Sequence, residues 1–177
     1  MRSNKRKILA LTYIAITASL ICLSALIHIP FPIPITLQTL VLFLSLFTLG
    51  GRLTSASVAL YLTIGALGLP VFSGFSGGVG RLFDATGGFL FGMLFASLLW
   101  WIFEKFSLAT NTVIRSLICI GTIYLFGGVW YCFGYLCGEN FLSAITVSVL
   151  PFIIPDGLKI YLAYLLSKRL APIIKGK

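Results

Sequence analysis

Short breaks of glycine, proline and charge divide this chain into long apolar stretches. Six can be marked out: Ile8–Ile27, Ile35–Leu49, Leu53–Leu69, Gly88–Phe103, Val113–Leu136 and, after an apolar approach interrupted by proline, Pro155–Leu170. They predict transmembrane helices. Several are short for a hydrocarbon core of about 30 Å, which takes roughly 20 residues of helix. The connecting segments are therefore expected to dip into the bilayer, where irregular backbone survives only against protein or along a cavity. Two segments, His28–Pro34 and Leu142–Ile154, are too apolar for free aqueous loops and are expected to wall a pocket open to one side. The first stretch follows basic residues as a signal peptide would. Its 20 residues are enough to span, and no Ala-x-Ala site closes it, so it is expected to be the first transmembrane helix.

Composition agrees. Of 177 residues, 59% are hydrophobic and 10% charged, and the mean hydropathy is +1.07, values of an integral membrane protein. The length suits one domain over residues 1–177, with no room for a separate nucleotide-binding or catalytic unit. No internal repeat or low-complexity tract divides it. The net charge of +9 gathers at the two ends, on Arg2, Lys5, Arg6 and Lys7 and on Lys168, Arg169, Lys175 and Lys177. That distribution fits membrane topology and not a nucleic-acid surface. An even number of spans puts both basic termini on one face, which the positive-inside rule makes cytoplasmic. Arg52, Lys105 and Arg115 fall on or near that face, whereas the other carries Arg81, Asp84, Glu139 and His28. The expected fold is all-α and polytopic, with six transmembrane helices, cytoplasmic termini and a ligand pocket open to the outer face.

The candidate chemistry centres on Asp156 and Lys159, an ionisable pair inside the last apolar stretch. At spacing i, i+3 the two share a helical face. With 1.5 Å of rise per residue from Lys168, Lys159 lies about 14 Å and Asp156 about 18 Å inside the membrane. Charge at that depth is costly, and it usually faces the protein interior and serves a substrate. Thr36, Gln38 and Thr39 stand at the start of a membrane helix; they suit either capping or an uncharged polar ligand group. The loop Gly68–Gly88 carries seven glycines interleaved with Val71, Phe72, Phe75, Leu82 and Phe83. A substrate-covering lid explains that pattern better than a solvated linker. Leu67, Phe72, Phe75 and Phe83 are expected to supply apolar walls.

Other features read more plainly. Gly74-Phe75-Ser76-Gly77-Gly78 fits a serine-nucleophile pattern, with His28 as the sole histidine base, but no strand precedes it and no helix starts directly after it. Trp100, Trp101, Trp130, Tyr131 and Tyr135 suit an interfacial belt. Cys22, Cys119, Cys132 and Cys137 lack metal-ligand spacing and are read as small apolar residues. Ala15/Ser19 and Ala18/Cys22 are small-x-x-x-small pairs, open to internal packing or to a partner helix.

Several of these segments together resemble the BioY-type biotin-binding S component of energy-coupling factor transporters. They are Ile33-Pro34-Ile35-Thr36-Leu37-Gln38-Thr39-Leu40, Leu60 through Phe72, Ser76-Gly77-Gly78, Thr86-Gly87-Gly88 and Asp156-x-x-Lys159. The family usually has Gly-Pro before Thr-Gly-Gly, where this chain has Asp84-Ala85. The resemblance implies biotin captured from outside and a prokaryotic cell-membrane location. It also implies coupling to a transmembrane T component driven by ATP-binding cassette subunits, without a cofactor or catalytic residues in this chain. The lack of a Gly-x-x-x-x-Gly-Lys-Ser/Thr phosphate loop agrees with hydrolysis by partners. The substrate set is then Asp156, Lys159, Gln38 and Thr36, with Phe72, Gly77, Gly78, Arg81 and Thr86 from the covering loop. Ala15 and Ser19 are the docking positions. The alternatives are an S component for another vitamin and an intramembrane hydrolase using Ser76 and His28.

Overall fold

A bilayer offers no hydrogen-bond partner to a bare N–H or C=O, so helix governs this backbone. The computed structural model describes residues 2–30, 33–108, 111–135 and 141–174. The chain runs through α1 (Arg2–Leu26), β1 (His28–Ile29), β2 (Ile35–Thr36), α2 (Gln38–Leu49), α3 (Gly51–Ala66), α4 (Val79–Leu82), α5 (Gly87–Lys105), α6 (Thr112–Tyr135), α7 (Phe141–Ser148) and α8 (Leu150–Ile174). Among the described residues, four helical segments are long and apolar enough to cross a membrane: Asn4–Leu26, Gly87–Lys105, Thr112–Gly134 and Ile145–Ile174. Helices α2 and α3, with 12 and 16 residues, reach only about 18 and 24 Å. Extended and looped backbone continues both. Leu136, Cys137, Glu139, Lys175 and Lys177, named in the sequence reading, lie outside the described residues.

The helices close into a ring. Helix α5 packs on α6 and α3, α3 on α1, α1 on α2, and α2 on α8. Contacts of Tyr124 with Asp156 and of Phe89 with Phe152 bring α8 back to α6 and α5. Ile21, Leu42, Phe43, Leu46, Val58, Tyr61, Met93, Ala96, Trp100, Cys119 and Ile123 fill the centre. The two small-residue pairs of α1 part company here. Ala18 is buried and Cys22 half-buried against the bundle, whereas Ala15 and Ser19 face outward, with Ser19 Oγ donating to the Ala15 carbonyl.

Two expected loops are ordered differently. Leu142–Ile154 is not irregular: α7 and the start of α8 run through it, joined by Val149 N–H to the Ile145 carbonyl at 2.9 Å. Pro151 is tolerated because it falls in the first turn of α8, where its missing N–H would have had no partner. Pro155 lies inside the same helix and removes one rung. Between α1 and α2, prolines 30 and 34 exclude helix, and the flanking residues form a two-residue antiparallel ladder, His28 opposite Thr36 and Ile29 opposite Ile35.

The basic residues gather at one end of the ring. Arg6 and Lys7 of α1 border one cavity with Leu49 and Arg52 of the α2–α3 turn. At the same end Arg115 lies 6.0 Å from the Trp100 ring, and Tyr13 reaches the Ile174 carbonyl. Trp100 is no interfacial belt residue. It is 3% exposed, meets Phe47 edge-on at 5.5 Å and donates Nε1–H to Glu104 at 2.9 Å. The other Glu104 oxygen accepts the Gly51 N–H at 2.8 Å, which ties the start of α3 to the end of α5. Gly51 fits there because a Cβ would lie 2.3 Å from the Trp101 backbone nitrogen. Glu104→Ala strands both donors and should lower stability by about 1 kcal/mol. Thermal unfolding in detergent beside Lys105→Ala, which should be neutral, measures it; equal midpoints would remove Glu104 from the fold's supports.

Candidate functional site

Two polar groups sit inside the bundle. In α8, Lys159 Nζ donates to Asp156 Oδ1 at 2.8 Å, and the residues are 7% and 4% exposed. Tyr124 of α6 donates its hydroxyl to Asp156 Oδ2 at 2.9 Å. Both carboxylate oxygens are thereby engaged, as an ionised group at this depth requires. The second group joins the start of α2 to α3. Thr36 Oγ1 donates to Gln38 Oε1 at 2.9 Å, and Gln38 Nε2 donates to the Tyr61 hydroxyl at 2.7 Å. Twelve residues separate Gln38 from the Gly50 turn and twelve separate Asp156 from Lys168. Phe47 of α2 meets Tyr164 of α8 at 6.1 Å, nine positions from Gln38 and eight from Asp156, so the two groups stand at similar heights, about 18 Å from the basic end.

The glycine-rich loop folds over the second group. Phe72 is 3% exposed, meets Tyr61 edge-on at 5.4 Å and lies flat on Gly65, where a Cβ would come within 2.1 Å of its ring. Beneath it, Gly78 N–H donates to the Gly65 carbonyl at 2.7 Å. Gly78 holds φ +96°, and a Cβ on Gly77 would stand 2.2 Å from the Leu69 carbonyl oxygen, so side chains at either position would lift the loop. The far side of the loop is fastened to α6 by Trp130 Nε1–H donating to the Asp84 carbonyl at 3.1 Å. Trp130, half-buried near the end of α6, thus clamps the loop to that helix.

Not every expected member arrives. Arg81 forms an ion pair with Asp84 within the loop, and the Thr86 side chain makes no hydrogen bond to either polar group among the described residues. Leu67, Phe75 and Phe83 are 79%, 69% and 62% exposed and wall nothing inside. The serine–histidine pair does not assemble: Ser76 Oγ donates to the Ser73 carbonyl and His28 Nδ1 to the Leu26 carbonyl. That argues against a hydrolase, which needs nucleophile and base in hydrogen-bond reach. Tyr61 and Tyr124 were missed. Their signal was a phenol within an apolar stretch, a group that must find a partner once buried.

Fold and site define an α-helical multi-pass membrane protein with a polar interior. Comparison gives its kinship. The BioY family profile matches residues 1–176, and the chain belongs to that family. It is 36% identical over 157 residues to the biotin transporter BioY of Thermotoga maritima, covering 88% of this chain and 91% of that one. It is 34% identical over 139 residues to the probable biotin transporter BioY of Pyrococcus horikoshii, covering 78% and 81%. A crystal structure of the S-component for biotin from an ECF-type ABC transporter superposes with a TM-score of 0.81 at 27% identity, covering 94% of this chain and 93% of that one.

Because Tyr124 is the second partner of a buried carboxylate, Tyr124→Phe should cost about 1–3 kcal/mol. Tyr161→Phe, at a position 60% exposed, should cost nothing measurable. Unfolding midpoints of the two variants in the same detergent decide; a neutral Tyr124→Phe would remove the phenol from the site.

Proposed function

We propose that this chain is the biotin-binding membrane subunit of an energy-coupling factor transporter, a transport component and not an enzyme. The observation that carries the reading is the buried Asp156–Lys159 pair, level with the Thr36–Gln38–Tyr61 group. Biotin presents ureido N–H donors and a C=O acceptor, an apolar thiophane ring and a carboxylate. Asp156 can accept from the ureido N–H groups, Lys159 can pair with an anion, and Gln38 and Thr36 can donate and accept. Phe72 supplies an apolar face, and the loop through Gly77, Gly78, Arg81 and Thr86 supplies the cover. Membership of the BioY family, with relatives that are biotin transporters, supports the same substrate.

The finer topology belongs to this reading. Helices α1, α2, α3, α5, α6 and α8 make six crossings, with α4 and α7 as short inserted pieces. The basic end, holding both termini, faces the cytoplasm of a prokaryotic cell, and the pocket opens outward. The outward face of α1 at Ala15 and Ser19 is the docking surface for a T component, and ATP is hydrolysed by cassette subunits bound to it. A single cysteine placed at Asn4 in a cysteine-free background should resist an impermeant maleimide applied to intact cells, while one at Phe75 should react. The reverse pattern would invert the topology.

The site itself is tested with conservative variants, Asp156→Asn and Lys159→Met, singly and together. Each single change strands a buried charge and should cost roughly 3–5 kcal/mol. The double variant has no lone charge and should regain much of that stability. It should nonetheless bind biotin at least ~100-fold more weakly, a loss of about 2.7 kcal/mol. Thermal unfolding and biotin titration on the same preparations separate the effects. A double variant that folds and binds as the parent does would make the pair scaffolding.

A further inference from the structure

At the basic end, the first turns of α1 stand apart from the α2–α3 hairpin and leave a cavity of about 960 Å³. Its lining is amphipathic in a particular order. Arg6, Lys7 and Arg52 supply three cations, and Ala10, Ile14, Leu49, Leu53 and Ala56 supply only apolar surface. From Lys7 to Ile14 the helix descends about 10 Å, so charge lies at the rim and hydrocarbon below it. All three cations are exposed.

These cations also differ from others at the same end. Lys105, Arg115 and Lys168 lie over the rings of Phe106, Trp100 and Tyr164. Among the described residues, no ion pair, hydrogen bond or ring contact engages the side-chain cations of Arg6, Lys7 or Arg52. No carboxylate lines the cavity. Positive-inside charge alone requires basic residues on one side of the membrane. It does not require three of them to converge, unpartnered, on one groove with an apolar floor.

We propose that this groove binds an anionic phospholipid. The phosphate is held between Arg6, Lys7 and Arg52, and the upper part of an acyl chain lies on Ala10, Ile14, Leu53 and Ala56. The chemistry is a phosphate anion joined to hydrocarbon, which matches the order of the lining. A bound lipid would bridge α1 to the α2–α3 turn, where the described residues make no polar link. This holds whatever the chain transports.

The test uses the purified full chain in neutral detergent. It is titrated with phosphatidylglycerol and phosphatidylcholine of identical acyl chains, and retained lipid is read by native mass spectrometry. The parent should favour phosphatidylglycerol by at least ~10-fold, in line with the contribution of basic residues near an anionic headgroup. The triple variant Arg6→Gln, Lys7→Gln, Arg52→Gln should lose that preference. Lys105→Gln, Lys168→Gln, Arg169→Gln, which removes equal charge elsewhere, should keep it. Ala10→Trp fills the floor and leaves the cations, and should weaken phosphatidylglycerol retention several-fold; Ala56→Trp is the second variant if the first lowers the unfolding temperature. Equal loss in both triple variants would mean diffuse charge, and unchanged retention in both tryptophan variants would mean no groove. Displacement of the lipid by millimolar inorganic phosphate would mean a free-anion site. A parent without lipid preference would leave the cations to an acidic protein segment. Each of these four results overturns the lipid assignment.

Discussion

A charge inside a bilayer has to be answered by another group of the same chain, and this structure is arranged around that requirement. The carboxylate of Asp156 receives Lys159 on one oxygen and Tyr124 on the other. The lysine comes from the next turn of α8, but the phenol comes from α6, so the pair is complete only when those two helices are in register. Helix α8 meets α6 and α5 there through few other contacts. Removing one member costs about 3–5 kcal/mol, a large share of the stability of a domain this size. The pair therefore specifies helix placement as well as offering chemistry.

The second polar group follows from a different shortage. Helix α2 has 12 residues and α3 has 16, fewer than the roughly 20 that a bilayer core takes. Non-helical backbone continues both, and beside hydrocarbon such backbone must be covered. The β1–β2 ladder covers part of it, and Leu37 N–H finds the Ser24 carbonyl at 3.3 Å. The glycine-rich loop covers the rest because Gly77 and Gly78 let it press on the end of α3. Short helices thus place Thr36, Gln38 and Tyr61 deep within the protein while keeping them next to chain that is not locked in a helical ladder.

Much of this was legible in the sequence. The apolar runs marked the helices, and the spacing of Asp156 and Lys159 marked them as a pair on one helical face, which the structure buries. Thr36 and Gln38 stood out by position at a helix start, and the structure joins them in one hydrogen-bonded group. What escaped was partnership across helices. Nothing local to Tyr124 says that its hydroxyl meets a carboxylate 32 positions away, and nothing near Trp100 says that it faces inward, since a tryptophan near a span end usually marks an interface. Phe72 and Phe75 lie three apart in one loop, yet one is 3% and the other 69% exposed. Loop phenylalanines carry no periodicity to tell them apart. The segment before Asp156 misled for a specific reason: Pro151 breaks a helix in most positions but begins one in the first turn.

These constraints also bear on how such a site could open. Each helix carries its own backbone bonds, so moving a helix past its neighbour would separate Tyr124 from Asp156 and expose a charge to lipid. Moving the loop would break far less: the Gly78 to Gly65 bond, the Trp130 to Asp84 bond and the ring contacts of Phe72. Each hydrogen bond is worth about 1 kcal/mol net, and the freed groups lie at the end of the bundle opposite the α2–α3 turn. Opening at the loop is thus the cheaper motion by the margin between a neutral hydrogen bond and a stranded ion. On the proposed reading, ligand enters from that end while the ion pair and its phenol stay fixed.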